Sequence, residues 1–265
     1  MGRLGDTFNR LASEGKKAYI GYAMAGFPSK GADLEFARSV FAEADILELG
    51  VPFSDPIADG IVLQRCAEKA LANGGGLARA LELAETLRAG SDKPLVLMSY
   101  LNPLLARGME SFAHRARVAG VDGVVIPDLP PEEARTVASD LGRAGLDVAF
   151  LAAPTSTPKR LDLIAKAATG FIYVVSVAGV TGERVGFDER LGRTVERLRA
   201  RARVPLAVGF GVSSPESAAE AAALSDGVVV ASTVLKTVLD AKDQASGLAT
   251  AAARCALLAR AVRGL

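Results

Sequence analysis

The sequence predicts a single (β/α)8 barrel, and three observations support that fold class. The chain has 265 residues, a length typical of one large α/β barrel. Half of the residues are hydrophobic and Trp is absent, so the core must be built from aliphatic side chains. Short apolar runs alternate with segments of helical periodicity eight times, which is the pattern of a parallel sheet with crossover helices. An open doubly wound sheet would show the same alternation, but the number of units and the length favour the barrel.

The eight apolar runs are continuous strings, as expected of parallel strands that are covered on both faces. They span residues 19–25, 46–51, 95–101, 123–127, 148–152, 171–177, 206–210 and 227–231.

Helical segments outside the regular alternation predict additions to the barrel. Residues 3–13 form an amphipathic segment before the first strand, which we expect to cover the bottom of the barrel. An added helix is expected over residues 58–73, and two segments, 233–240 and 247–262, follow the eighth strand. No linker divides the chain, so we expect one domain over residues 1–265.

Composition argues against several classes of function. The 31 basic and 30 acidic residues nearly balance, so neither nucleic acid nor an anionic membrane is an expected partner. No apolar leader is present and no run approaches about 18 apolar residues, so no membrane span is expected. Cys66 and Cys255 lie far apart in sequence, which favours free thiols and a cytoplasmic location. The single histidine, His114, lies in a helical segment, so chemistry must depend mainly on carboxylates, phenols and backbone.

The end of the second strand carries the strongest candidates for catalysis. Glu48 lies inside an apolar strand, where a charged group has either a task or a buried ion-pair partner. Asp55 and Asp59 follow in a loop rich in Pro and Gly. A glutamate in the barrel wall that faces a loop aspartate suits paired proton transfer, and the spacing alone leaves Asp55 and Asp59 as rivals.

The ends of strands six to eight predict a lid and a phosphate site. Residues 178–182 are small and permissive in backbone angle, as in a mobile lid or an ordinary surface loop. Gly209 and Gly211 precede a helix that opens near Ser214, and Ser232 opens the helix after strand eight. Backbone amides at such positions bind phosphate in many barrels.

The motifs LELGVPFSDPIADG (residues 47–60), PDLPPEE (127–133), GVTG (179–182) and GFGVS (209–213) occur in that order. With them, the chain resembles the tryptophan synthase α subunit family over nearly its whole length. The resemblance implies a (β/α)8 barrel that cleaves indole-3-glycerol phosphate to indole and glyceraldehyde 3-phosphate, with no cofactor of its own. It also implies that Glu48 is the proton shuttle and that Asp59, rather than Asp55, binds the indole N–H.

The same resemblance assigns the substrate site and the partner surface. Indole would contact Tyr22, Met98, Tyr173 and Phe210. Phosphate would bind the amides of Gly182, Gly211, Ala231 and Ser232, and Thr181 on the lid would meet the aspartate on closure. A β subunit that carries pyridoxal phosphate would dock, in an α2β2 complex, on Pro52, Asp55, Tyr100, Asn102 and Pro103.

Three positions depart from the family pattern. Ile61 stands where many members have Pro, Ala178 where Thr is common, and Ala231 where Gly is frequent. The methyl group of Ala231 is expected to restrict the phosphate turn. Two alternatives to the cleavage of indole-3-glycerol phosphate remain. The chain could be another sugar-phosphate barrel enzyme, or a non-catalytic barrel that binds and activates a β partner.

Overall fold

The computed structural model describes residues 2–176, 189–209 and 211–264. Its eight strands are all parallel and form a closed barrel in sequence order, with β1 paired to both β2 and β8. The predicted fold class is therefore confirmed. The strands are β1 (Ala18–Met24), β2 (Ile46–Gly50), β3 (Leu95–Met98), β4 (Gly123–Val125), β5 (Asp147–Ala152), β6 (Ile172–Val175), β7 (Leu206–Gly209) and β8 (Gly227–Val230).

The helices surround the barrel and connect each strand to the next. Among the described residues they are α1 (Arg3–Ser13), α2 (Ala32–Glu43), α3 (Ile61–Ala72), α4 (Leu77–Arg88), α5 (Leu101–Leu105), α6 (Met109–Val118), α7 (Arg135–Arg143), α8 (Pro158–Ala167), α9 (Glu189–Arg199), α10 (Pro215–Leu224), α11 (Ser232–Leu239) and α12 (Gln244–Arg263). The extra first helix and the added helices after β2 and β8 match the prediction.

Helix α1 covers the amino-terminal ends of the strands, which form the bottom of the barrel. Its apolar face buries Leu4, Phe8 and Leu11, and the ring of Phe8 lies 6.2 Å from that of Phe171. The α1 side chain of Arg3 also pairs with the buried carboxylate of Asp122 at 3.0 Å. Because the bottom is closed in this way, only the opposite end of the barrel remains for a substrate.

The structure ends the third strand earlier than the sequence-based prediction does. The third strand ends at Met98, and the following residues form the short helix α5 instead of continuing the strand. The continuous apolar run over residues 95–101 misled the prediction, because periodicity alone does not show where a short buried strand ends.

In the part of the chain that the structure describes, one helix, α12, has the length and apolar composition of a membrane span. It packs against the barrel instead. Leu248, Cys255, Leu258 and Val262 form a buried face, and α12 lies against α2, α10, α11 and β1. We therefore interpret α12 as an outer helix of the barrel.

Candidate active site

A cavity opens at the carboxyl ends of the strands, the end that parallel barrels use for their sites. Seven of the strands contribute residues to it, and the segment after β7 contributes two more. Its lining consists of Tyr22, Glu48, Ala58, Asp59, Leu63, Met98, Val125, Pro127, Leu151, Tyr173, Gly211, Val212, Val229, Ala231 and Ser232. Most of this lining is apolar, so the few polar groups determine what the cavity can bind.

Glu48 lies in the barrel wall, beside Tyr22 in the register of β1 and β2. Its side chain is 2% exposed, and its Oε2 has no hydrogen-bond partner among the described residues. Burial, with a smaller contribution from the negative charge of Asp59, raises the pKa of Glu48 to about 8. These observations argue against a satisfied buried ion pair, which would lower the pKa.

Two tyrosines enclose the carboxyl group, and two glycines make room for them. A Cβ atom on Gly50 would lie 1.9 Å from the hydroxyl of Tyr22, and one on Gly209 would lie 2.5 Å from the hydroxyl of Tyr173. Burial raises the pKa of both phenols well above the ordinary value, and the charges of Glu48 and Asp59 add to that effect. Both tyrosines are therefore neutral across the physiological range.

The structure separates the two rival aspartates of the loop after β2. Asp59 lines the cavity, and its Oδ1 is buried with no hydrogen-bond partner among the described residues. Burial raises its pKa to about 6, against the opposing effect of the Tyr100 hydroxyl. Asp55 is exposed, hydrogen-bonds to the hydroxyl of Ser54 at 2.5 Å, and lies outside the cavity.

Tyr100 fixes the loop that carries Asp59. Its hydroxyl accepts a hydrogen bond from the backbone N–H of Ala58 at 2.9 Å, and its ring packs on Phe53 with the centroids 5.2 Å apart. The side chain is only 2% exposed. The assignment of Tyr100 to the partner surface stays a prediction, and the structure shows in addition that its phenol contacts the loop of Asp59.

The far end of the cavity is formed by residues 211–212 and by the start of α11. The amino terminus of α11 has no side-chain cap, so the first backbone N–H groups of the helix have no internal acceptor. The neighbouring helix α10 differs, because Ser214 and Ser217 form a capping box that satisfies its terminal amides. The open amides at this end therefore belong to α11, which is the more favourable place for an anion.

Two backbone angles decide which residues this end tolerates. Gly211 has φ +77°, a conformation that other residues adopt only with strain. Ala231 has a negative φ of −122°, so its backbone does not take the left-handed conformation that favours glycine. The expectation that the methyl group of Ala231 restricts the phosphate turn is therefore not supported by its φ angle. Ile61, the other departure within the described residues, is 70% exposed at the first position of α3.

The cavity brings together most of the residues predicted from sequence. Tyr22, Glu48, Asp59, Met98, Tyr173, Gly211, Ala231 and Ser232 all line it. Thr181, Gly182 and Phe210, together with Ala178 and the rest of the predicted lid, lie outside the described residues.

Sequence reasoning missed the apolar walls of the cavity. Val125 is the last residue of β4, Leu151 and Val229 are next to last in β5 and β8, and Leu63 comes from the added helix α3. The strand residues had a usable signal, since they lie near the carboxyl ends of predicted strands. Leu63 had none, because only the packing of α3 brings it over the barrel mouth.

The remaining residues of the predicted partner surface lie on the same rim. Asn102 is exposed and Pro103 is half-buried on α5, whereas Pro52 is buried beneath the loop after β2. Two apolar side chains stand out to solvent beside them, Ile57 at 84% exposed and Leu105 at 47%.

Other chemistries have no support in the described part of the chain. No group of three or more His, Cys, Asp and Glu side chains there could hold a metal ion. Cys66 and Cys255 are buried and free, and His114 is exposed on α6, as expected.

Comparison with known proteins gives relatives that cover nearly the whole chain. The family model described as tryptophan synthase alpha chain matches residues 8–263. The tryptophan synthase alpha chain of Deinococcus radiodurans is 44% identical over 242 residues, which are 91% of this chain and 90% of the relative. That of Phenylobacterium zucineum is 44% identical over 264 residues, 98% of this chain and 95% of the relative. The crystal structure of tryptophan synthase subunit alpha from Legionella pneumophila superposes with a TM-score of 0.90 at 34% identity, covering all of both chains.

Proposed function

The chain belongs to the tryptophan synthase alpha chain family, and we propose that it cleaves indole-3-glycerol phosphate to indole and glyceraldehyde 3-phosphate, the α reaction of tryptophan biosynthesis. One observation carries the proposed mechanism. The buried carboxyl group of Glu48 and the half-buried one of Asp59 share one cavity, with pKa values of about 8 and about 6. Near pH 7 the first is mostly a neutral acid and the second mostly a carboxylate, which gives them different tasks.

Glu48 is the proposed proton shuttle of this retro-aldol reaction. Its carboxyl group donates a proton to indole C3, and the ring becomes an indolenine cation. The resulting carboxylate then takes the proton from the hydroxyl on the carbon attached to the ring. The O–H electrons form the aldehyde C=O, and the C–C bond electrons return to the ring as indole. One proton enters and one leaves, so Glu48 ends in its starting state.

Asp59 is the proposed stabiliser of that cation. Its carboxylate accepts a hydrogen bond from the indole N–H, and its negative charge becomes more favourable as the ring becomes positive. The unpartnered Oδ1 of Asp59 and Oε2 of Glu48 support this proposal, because a buried oxygen without a partner costs free energy until a substrate supplies one.

The remaining groups hold the two ends of the substrate. Met98, Val125 and Leu151 offer apolar contact to the ring, and Tyr22 and Tyr173 flank the carboxyl groups. The open amides of α11 and the turn at Gly211 suit the phosphate dianion. Phe210, Thr181 and Gly182 stay predictions as the rest of the substrate site.

A β subunit of tryptophan synthase, carrying pyridoxal phosphate, is the proposed partner. The exposed side chains of Asp55, Ile57, Asn102 and Leu105 on the rim beside the cavity support that docking surface. Since Tyr100 joins α5 to the loop of Asp59, docking there would bear directly on the catalytic loop. The α2β2 stoichiometry and the cytoplasmic location stay predictions.

An indole-release assay tests the proposal, with the chain alone and with a β subunit. Asp59→Asn and Asp55→Asn form a matched pair, because they change the same type of group in the same loop. We expect Asp59→Asn to lower indole release at least ~100-fold in both assays. Asp55→Asn is expected to keep the rate of the isolated chain and to lose part of the stimulation by the partner.

Two outcomes would refute the proposal in different ways. If the wild-type chain releases no indole in either assay, the α reaction is the wrong assignment. If it releases none but still activates the partner, the chain is a non-catalytic activator.

A further inference from the structure

Arg254, on the last helix, joins the two backbone segments at the far end of the cavity. Its Nη2 donates to the carbonyl oxygen of Ser213 at 2.5 Å and to Oγ1 of Thr233 at 3.1 Å. The hydroxyl of Thr233 also donates to the carbonyl of Ser213 at 3.2 Å. Three elements therefore meet at one guanidinium: the turn after β7, the first turn of α11, and α12.

The two segments that Arg254 joins are the ones that line the cavity. Gly211 and Val212 immediately precede Ser213, and Ser232 immediately precedes Thr233. Because a guanidinium presents its donors in a fixed plane, bonds to both segments set the distance between them. The spacing between the 211–212 turn and the open amides of α11 thus depends on a side chain that does not line the cavity itself.

The charge of Arg254 is placed differently from that of three arginines that pair with buried aspartates. Arg79, Arg88 and Arg263 each donate to a buried aspartate, which balances their charge. Arg254 makes no ion pair within the described part of the chain, and its buried Nε has no hydrogen-bond partner there. The nearby carboxyl of Glu216 is exposed on α10, and its pKa is lowered mainly by the Ser214 hydroxyl and to a smaller extent by the charge of Arg254. The guanidinium therefore has a carboxylate nearby but no ion pair with it, and a bound anion would interact favourably with its charge.

We propose that Arg254 is a positioning residue for the substrate phosphate. It holds the 211–212 turn and the start of α11 at the spacing that a phosphate group needs. Its positive charge also favours binding of the phosphate dianion between these two segments. The inference rests on the function proposed above, and it adds to the site a residue of the last helix that the barrel strands do not provide.

Steady-state kinetics with two substrates tests this role. Arg254→Gln is expected to raise KM for indole-3-glycerol phosphate ~10–100-fold with little change in kcat, as for the loss of charge-assisted hydrogen bonds. The dephosphorylated substrate, indoleglycerol, should be cleaved by the variant and by the wild type with equal kcat/KM. Arg254→Lys keeps the charge without the planar fork and should recover part of the affinity.

The control is Arg260→Gln, which removes the same charge from an exposed position of the same helix. It should leave both substrates unaffected. Thermal unfolding of each variant checks that the fold survives. An equal loss with both substrates, or a fall in kcat at unchanged KM, would show that Arg254 is only a structural brace.

Calorimetric titration with glycerol 3-phosphate separates this inference from the proposed reaction. Binding by the wild type and ~10–100-fold weaker binding by Arg254→Gln would support the role of Arg254 even if no indole is released. Equal binding by the two proteins, or no binding by the wild type, would overturn it.

Discussion

Replacing Glu48 by Gln removes the proposed proton shuttle. The variant should also become more stable than the wild type, by an amount that grows as pH rises. Glutamine keeps the shape of the side chain but cannot ionise. The pKa of Glu48 is about 8 in the folded chain, against the ordinary value of 4.5 expected after unfolding. The unfolded state therefore releases a proton that the folded state retains, and wild-type stability falls as pH rises from 4.5 towards 8.

The size of the effect follows from that difference. Each pH unit in the window changes the free energy of unfolding by about 1.4 kcal/mol, so at pH 7 the cost of Glu48 is about 3 kcal/mol. For 265 residues this corresponds to a Tm difference of about 5 °C. The amide of Gln buries a donor of its own, but that cost does not vary with pH. The informative quantity is therefore how the difference in unfolding free energy between Glu48→Gln and the wild type changes with pH.

The assay is urea unfolding followed by circular dichroism at several values between pH 5 and pH 8. Glu85→Gln, which replaces an exposed glutamate on α4, controls for the substitution itself. The gap in unfolding free energy between Glu48→Gln and the wild type should widen in favour of the variant as pH rises. A gap that stays constant, or that closes, would show that the folded chain does not hold Glu48 in its neutral form.

Three further predictions concern the loop of Asp59 and the phosphate end of the cavity. Tyr100→Phe removes the hydroxyl that lowers the pKa of Asp59, so the pH at which kcat/KM for indole release rises should move upward; an unchanged pH dependence would contradict this role. Gly211→Ala places a methyl group at φ +77° and should raise KM for the phosphorylated substrate, with a strain of about 1–2 kcal/mol. Ala231→Gly should change KM little, and a large gain in affinity would show that the methyl group does obstruct phosphate.

The fold was predictable because its signals are local. Continuous apolar runs identify strands that are covered on both faces, and their number identifies a closed barrel. Glu48 was visible as a charge inside such a run. Asp59 was not separable from Asp55 by spacing, because the difference between them is burial, and burial depends on how the loop packs against Tyr100.

Other features of the site depend on contacts that sequence distance conceals. Arg254 lies 41 positions from Ser213 and 21 from Thr233, on a helix whose pattern indicates only an outer face. Leu63 reaches the cavity from an added helix. The glycine pattern also does not show that Ser214 and Ser217 cap α10, or that the amino terminus of α11 has no side-chain cap. These are properties of the packed barrel, so the sequence could point to the region but not to the groups.

The pH profile of kcat/KM for indole release tests the central claim most directly, since that claim is two carboxyl groups in opposite protonation states. The wild type should show a bell, rising as Asp59 ionises around its pKa of about 6 and falling as Glu48 loses its proton around about 8. Asp59→Asn should lose the acid limb, and Glu48→Gln should lose at least ~100-fold of the activity at the optimum. A profile that stays flat from pH 5 to pH 9, or a Glu48→Gln variant that keeps the wild-type rate, would contradict the account.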